Sequence, residues 1–172
     1  MTTLSDEAAM RLALDQARRA LPDVPIGAVV LDETGAVIAA AYNRREADGD
    51  PTAHAEILAL RGAGVSRGRW HLGGCTLVVT LEPCTMCAGA AVLSRIDRVV
   101  FGAWDPKTGA AGSVRNITGD GLLNHAVSVT GGVLEEKCGE LIRSFFADKR
   151  AQRRAVRAAQ RAPAARPDLS PE

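Results

Sequence analysis

Two short stretches set metal-ligating side chains inside runs that otherwise read as buried helix. In PTAHAEILAL, residues 51–60, His54 and Glu56 stand two apart among Ala55, Ile57, Leu58 and Leu60; in LEPCTMCAGA, residues 81–90, Cys84 and Cys87 stand three apart directly after Pro83. Charge in an apolar run is costly unless something compensates it, so each stretch needs a partner. Cys84 and Cys87, at i and i+3, share a face of a first helical turn, where the positive end of the helix dipole favours thiolates. Thr52 is placed to cap a helix beginning at Ala53, which puts His54 and Glu56 in its first turn with side chains tilted toward the helix start. Residues at i and i+2 do not share a helix face, but a glutamate that bends back converges with the histidine over the helix end.

One imidazole and two thiolates suit zinc at about 2.0 to 2.3 Å. Three protein ligands leave a fourth tetrahedral position for a water, whose pKa falls toward ~7 on the metal. Glu56, beside the metal without being a ligand, would take the proton from that water and deliver protons to a substrate. Zinc, two thiolates and a neutral imidazole sum to zero charge, which answers the question both stretches raise. Each piece has a plainer reading. A histidine in an apolar run is often a satisfied core residue. A closed structural zinc with Cys75, His71 or His125 as fourth ligand would leave Glu56 unexplained. Redox chemistry at Cys84 and Cys87 would leave both His54 and Glu56 idle. The four cysteines could also form two disulfides, although without a secretion signal a C-x-x-C pair points to a metal or redox site.

The elements that must position these residues follow from periodicity. SDEAAMRLALDQARRAL reads as an amphipathic helix with Ser5 as N-cap, with Met10, Leu14, Ala17 and Leu21 on one face and Pro22 as its end. IGAVVL and AVIAAAY flank DETG as two antiparallel strands joined by a hairpin turn. CTLVVTL and DRVVFGA are two further strands separated by a helix over about Cys84 to Ser94, and HAVSVTGGV is a fifth. A helix between strands in series implies a parallel crossover, so the expected fold is a mixed α/β sheet with helices on both faces. Residues 103–125, rich in Gly, Asp and Asn, are too long for an ordinary connection and form a functional-loop candidate.

The chain has 172 residues and 47% hydrophobic content, enough for one domain with a sizeable core. That domain is expected over residues 1–162, with residues 163–172 as a disordered tail. Asp6, Glu7, Arg11 and Asp15 interrupt any apolar leader, and no run approaches the length of a membrane span, so the expectation is a soluble cytoplasmic protein with no membrane partner. The net charge of +1 hides an asymmetry, because residues 149–172 carry seven Lys or Arg against two acids while residues 1–148 are net acidic. Leu141, Ile142, Phe145 and Phe146 can dock a C-terminal helix on the sheet. Beyond them Arg150, Arg153, Arg154, Arg157 and Arg161 recur at three- and four-residue steps, a basic stripe suited to phosphates and to substrate contact at Arg150 and Arg153.

The combination of H-x-E with P-C-x-x-C matches the signature of zinc-dependent nucleobase deaminases of the cytidine-deaminase-like superfamily. VPIGAVV, NRREADGDPTAHAEILALR, LEPCTMCAGAAVLSRIDRVVFGAWDPKTGAAGS and LNHAVSVTGGVLEEKCGELIRSFFADKR resemble, in order and spacing, the bacterial tRNA-specific adenosine deaminases, from about Ser5 to Arg154. The resemblance implies a homodimer of three-layer α/β/α subunits, each with a five-stranded mixed sheet. It implies one zinc per subunit on His54, Cys84 and Cys87, with Glu56 as catalytic proton shuttle. The implied reaction is attack of zinc-bound hydroxide on C6 of a wobble adenosine in a tRNA anticodon stem-loop, giving inosine. It further implies substrate contacts at Asn43, Ala55, Pro83, Asp105 and Lys107, whereas from sequence alone Asn43 and WDPKTG also read as turn residues. Trp104 either stacks on a base or covers a dimer interface. Two other functions share these residues: deamination of a free base or nucleoside of the guanine or cytosine type, and noncatalytic RNA binding around a structural zinc. The zinc motif alone does not separate C6 of adenine from C4 of cytosine, since both are amidine carbons.

Overall fold

Alternation of side chains along each strand sorts the apolar residues of this chain into two cores. The computed structural model describes residues 4–161 and places a five-stranded sheet between two helical layers. In chain order the elements are α1 (Asp6–Arg18), β1 (Gly27–Leu31), β2 (Val37–Tyr42), α2 (Arg45–Asp48), α3 (Ala55–Arg67), β3 (Thr76–Leu81), α4 (Thr85–Leu93), β4 (Arg98–Ala103), β5 (Ser128–Thr130) and α5 (Glu135–Arg161). Ala28, Val30, Leu77, Val79 and Phe101 pack with Ala59 and Ala63 of α3 and Ala91 of α4. The intervening Val29, Val78 and Val100 pack with Met10 and Leu14 of α1 and Cys138 of α5. The period of two along a strand thus yields the three-layer sandwich expected from the sequence.

The strand order is β2-β1-β3-β4-β5, with β1 antiparallel to both neighbours and β3, β4 and β5 parallel. Since β1 opposes both β2 and β3, those two run the same way, and α3 is the crossover between them as α4 is between β3 and β4. A helix joining parallel strands runs back along the sheet, so both helices begin at the C-terminal ends of strands. Four pieces of chain therefore gather at one edge: the residues after β2, the starts of α3 and α4, and the long segment after β4. That edge is where open α/β sheets bind ligands.

Several boundaries differ from the expected ones. Ser5 caps α1 as anticipated, its hydroxyl accepting the Ala8 N–H at 3.2 Å. The helix stops at Arg18, however, because Ala20 N–H bonds Ala17 O and Asp23 N–H bonds Ala20 O in successive tight turns. Ala20 takes the buried place, and Leu21 is 64% exposed instead of lying on the core face. The DETG turn forms as read, with Asp32 Oδ1 accepting the N–H groups of Thr34 and Ala36. The fifth strand is only three residues long: His125 lies outside it, its Nε2 2.7 Å from Ile96 O, and Gly131 and Gly132 turn the chain into α5. α5 is one continuous helix whose residues 151–160 are all exposed, so the basic stripe does leave the globule. The segment 163–172 lies outside the described residues.

Close backbone packing explains one glycine. A Cβ on Gly27 of β1 would overlap the Ala13 carbonyl and the Ala17 amide of α1, so this helix rests on bare strand. Neither backbone atom can rotate away, and overpacking of this kind costs up to about 3 kcal/mol. Gly27→Ala is expected to lose about that much stability in urea unfolding monitored by circular dichroism.

Candidate active site

Helix α3 begins at Ala55, two residues later than the sequence suggested. Asp50 Oδ1 takes both the amide and the hydroxyl of Thr52, each at 2.7 Å, so Thr52 closes its own turn and cannot cap a helix from Ala53. His54 is the N-cap, in extended conformation at φ −72° and ψ 149°, and Ala55 is the first helical residue. This difference resolves the spacing problem. His54 stands outside the helix and Glu56 inside its first turn, so residues two apart reach the same space without sharing a helix face.

Helix α4 repeats the arrangement. Cys84 is its N-cap, at φ −72° and ψ 174°, and Cys87 lies one turn in. Neither His54 nor Cys84 makes the side-chain hydrogen bond usual for an N-cap residue. Both point instead at each other: His54 Nδ1 is 3.8 Å from Cys84 Sγ and 3.5 Å from Cys87 Sγ. The three ligand atoms lie within 4.8 Å of one another, and no other such His, Cys, Asp and Glu group occurs among the described residues. Cys75, His71 and His125 do not join it, so the fourth ligand of a closed site is missing there. All four cysteines are free thiols.

The electrostatics are those of a metal-binding trio. The Cys87 thiol, which donates to Cys84, holds Cys84 down to about 4, helped by His54, while Cys87 is pushed well up because it keeps that proton. The hydrogen bond with Cys84 raises His54. Glu56 is 4% exposed, and burial raises its carboxyl above the ordinary range. Its Oε2 is the one buried side-chain oxygen or nitrogen without a hydrogen-bond partner among the described residues. A buried unpartnered carboxylate oxygen beside two thiols and an imidazole is expensive in an empty protein and reasonable next to a cation. The donor set and this orphan oxygen both fit zinc.

The other expected site residues fall around this centre unequally. Asn43, buried at the end of β2, donates from Nδ2 to Val24 O at 3.1 Å, and Ala55 and Pro83 are buried at the starts of α3 and α4. Asp105 closes its own turn, Oδ1 accepting the Lys107 N–H at 2.9 Å, and Lys107 is exposed beside it. Arg150 and Arg153 are exposed on α5, where with Phe145 and Phe146 they line a cavity of about 480 Å³ facing Val24 and Arg45. Trp104 stands edge-on to Phe101 at 4.7 Å, half exposed, over Gly131. Two buried carboxylates escaped the sequence reading. Asp23 accepts the N–H groups of Glu46 and Ala47 and so anchors α2, and Glu82 organises the segment after β4. The available signal for Glu82 was an acid closing the apolar run TLVVTLEP.

Comparison with known proteins agrees with this geometry. The family model described as cytidine and deoxycytidylate deaminase zinc-binding region matches residues 3–103, and with the trio it assigns one zinc ion to each chain. The tRNA-specific adenosine deaminase of Bacillus subtilis is 47% identical over 154 residues, covering 88% of this chain and 95% of that protein. A solved structure from a study of A-to-I editing by tRNA:A34 deaminases superposes with a TM-score of 0.74 at 44% identity, covering 77% of this chain and 97% of its own. A guanine deaminase from Nitrosomonas europaea also reaches 0.74, at 30% identity, covering 85% of this chain and 87% of its own. Near-complete coverage at the higher identity, on a shared zinc-binding region, settles the grouping: this chain belongs to the family of tRNA-specific adenosine deaminases.

Proposed function

We propose that this protein deaminates adenosine to inosine at the wobble position of a tRNA anticodon loop. The observation that carries the chemistry is Glu56, a buried carboxylate with a free oxygen two residues after the metal ligand His54. Zinc held by His54, Cys84 and Cys87 supplies a Lewis acid and a water of lowered pKa at that point. Glu56 accepts a proton of the attacking water and delivers it to N1 of adenine, and then carries the proton of the new C6 hydroxyl to the amine, so that the C6–N bond breaks, the C6 carbonyl forms and ammonia leaves. Burial favours the protonated carboxyl and so suits Glu56 to hold the proton between transfers. Asn43, Ala55 and Pro83 are read as the near wall of the nucleoside site, with Asp105 and Lys107 as contacts from the loop after β4. The same reading assigns residues 1–162 to one deaminase domain and places its work in the cytoplasm with its tRNA. No helix among the described residues is long and apolar enough to cross a membrane.

The recognition of nucleic acid is assigned to α5. Its exposed Arg150, Arg153 and Arg157 follow a net acidic body, and the cavity that Arg150 and Arg153 border shares Val24 with the hydrogen bond of Asn43. Phosphates held there would lie alongside the nucleoside site. A homodimer is assigned to the opposite side of α3, where Trp70 (69% exposed), Val65 and Leu93 present apolar surface around a groove of about 650 Å³ between α3 and α4. An apolar patch of this kind is the usual mark of a protein interface. A second reading, deamination of free guanine, is favoured by the likeness to the Nitrosomonas europaea structure, and it gives α5 no task.

Three outcomes are expected. Zinc-loaded wild type incubated with an anticodon stem-loop carrying a wobble adenosine yields inosine by nuclease digestion and mass. Glu56→Ala loses at least about 10² to 10⁴ of that rate while keeping zinc. Absence of inosine, with turnover of free guanine, would replace this function by the second reading. Replacing Arg150, Arg153 and Arg157 together with Ala lowers the slope of log affinity against log salt by about 2 to 3, and an unchanged slope would remove α5 from the tRNA interface. Light scattering after gel filtration gives twice the 18.0 kDa chain mass, and Trp70→Arg shifts it toward the monomer.

A further inference from the structure

We infer that Glu82 is a positioning residue for the nucleic-acid substrate, acting through the loop after β4, an inference that rests on the deaminase reading above. Glu82 follows β3 and stands two residues before Cys84; it is 2% exposed. Its Oε2 accepts the Asp105 N–H at 2.9 Å and the Ser113 hydroxyl, and its Oε1 accepts the N–H groups of Ala111 at 3.1 Å and Ser113 at 2.9 Å. All four donors belong to one nine-residue stretch of loop.

That stretch has no regular secondary structure of its own. Gly109 pairs with Cys84 in an isolated bridge, and Ala110 N–H bonds Pro83 O at 2.8 Å. The backbone of Gly109 presses so closely on the carboxylate that a Cβ would overlap it. The loop is thus wound around one carboxylate, which is itself tied through Pro83 to a metal ligand. Packing at the end of β3 would be met by any apolar side chain, and burying a carboxylate there is costly unless it is fully bonded. The loop supplies that bonding, and in return its backbone is fixed relative to His54, Cys84 and Cys87. Asp105 and Lys107, the proposed substrate contacts, are carried on this loop and so depend on Glu82 for their position.

The chemistry makes no use of Glu82, so its removal acts on substrate binding more than on turnover. Glu82→Gln keeps the volume but turns an amide NH₂ toward N–H donors. In the zinc-loaded full chain it is expected to raise KM for the anticodon stem-loop about tenfold or more, with a smaller fall in kcat and zinc still at one per chain. Hydrogen exchange accelerates at the amides of Asp105, Ala111 and Ser113, while those of β3 and β4 stay protected. Ser113→Ala, which removes one hydroxyl donor, moves the same quantities less far. Unchanged KM and unchanged loop exchange in both variants would overturn the assignment. So would loss of zinc together with loss of protection across β3 and β4, since Glu82 would then support the fold at large. If the wild type forms no inosine, the deaminase reading fails by itself and the exchange comparison alone decides whether Glu82 holds the loop.

Discussion

Two helices start face to face at one edge of the sheet, and each gives up its N-cap to the site. His54 and Cys84 both hold the extended backbone of a cap residue, yet neither side chain satisfies its helix, a sacrifice worth about 1 kcal/mol at each end. What they gain is proximity, because Nδ1 and Sγ meet at the point where two positive helix ends converge. The same field that would be capped by a serine or aspartate here favours thiolate. A divalent cation then finds one thiolate, that of Cys84, already prepared, with His54 and Cys87 held beside it by backbone on two rigid elements. The sheet topology is what makes this possible. With β1 antiparallel to β2 and β3, both crossovers run back in the same sense, and their starts cannot be anywhere but at one edge.

Around this centre two buried glutamates divide the work. Glu56 leaves an oxygen without a partner, and Glu82 has four donors on its two oxygens. An unsatisfied acceptor is a poor structural element and a good reagent; a saturated one is the reverse. The contrast suits Glu56 to the proposed handling of protons and Glu82 to the fixing of backbone, although the two stand at similar depth in the protein.

Much of this was legible in the residues themselves. The trio and its glutamate were read from type and spacing, because zinc chemistry restricts ligand identity strongly. The sheet was read from short apolar runs rich in Val, Leu and Ala, and the basic stripe of α5 from its three- and four-residue steps. The failures share a cause, competition between local hydrogen bonds that a pattern does not rank. Thr52 looked like a cap until Asp50 took its hydroxyl, and Leu21 looked like a core position until successive turns ended α1 early. Glu82 was invisible for a different reason. Its partners lie 23 to 31 positions downstream in a loop without periodicity, so nothing local announces them.

The zinc trio and Glu56 would serve any amidine carbon brought to them, in adenine, guanine or cytosine alike. Selection among these has to come from what surrounds the metal: the residues after β2, the loop wound on Glu82, and α5. All three reach the same edge of the sheet, yet none contributes a ligand. On the proposed function, chemistry sits on the ends of packed helices, where displacement is small, and recognition is assigned to a loop and an exposed helix that can change without disturbing it. The loop is the sensitive member of the set, because its only strong hold on the metal centre passes through the segment Glu82–Pro83–Cys84. Substitution of Glu82 there is expected to shift the wall while leaving the ligands in place, whereas on the proposed function substitutions along α5 alter phosphate contact alone.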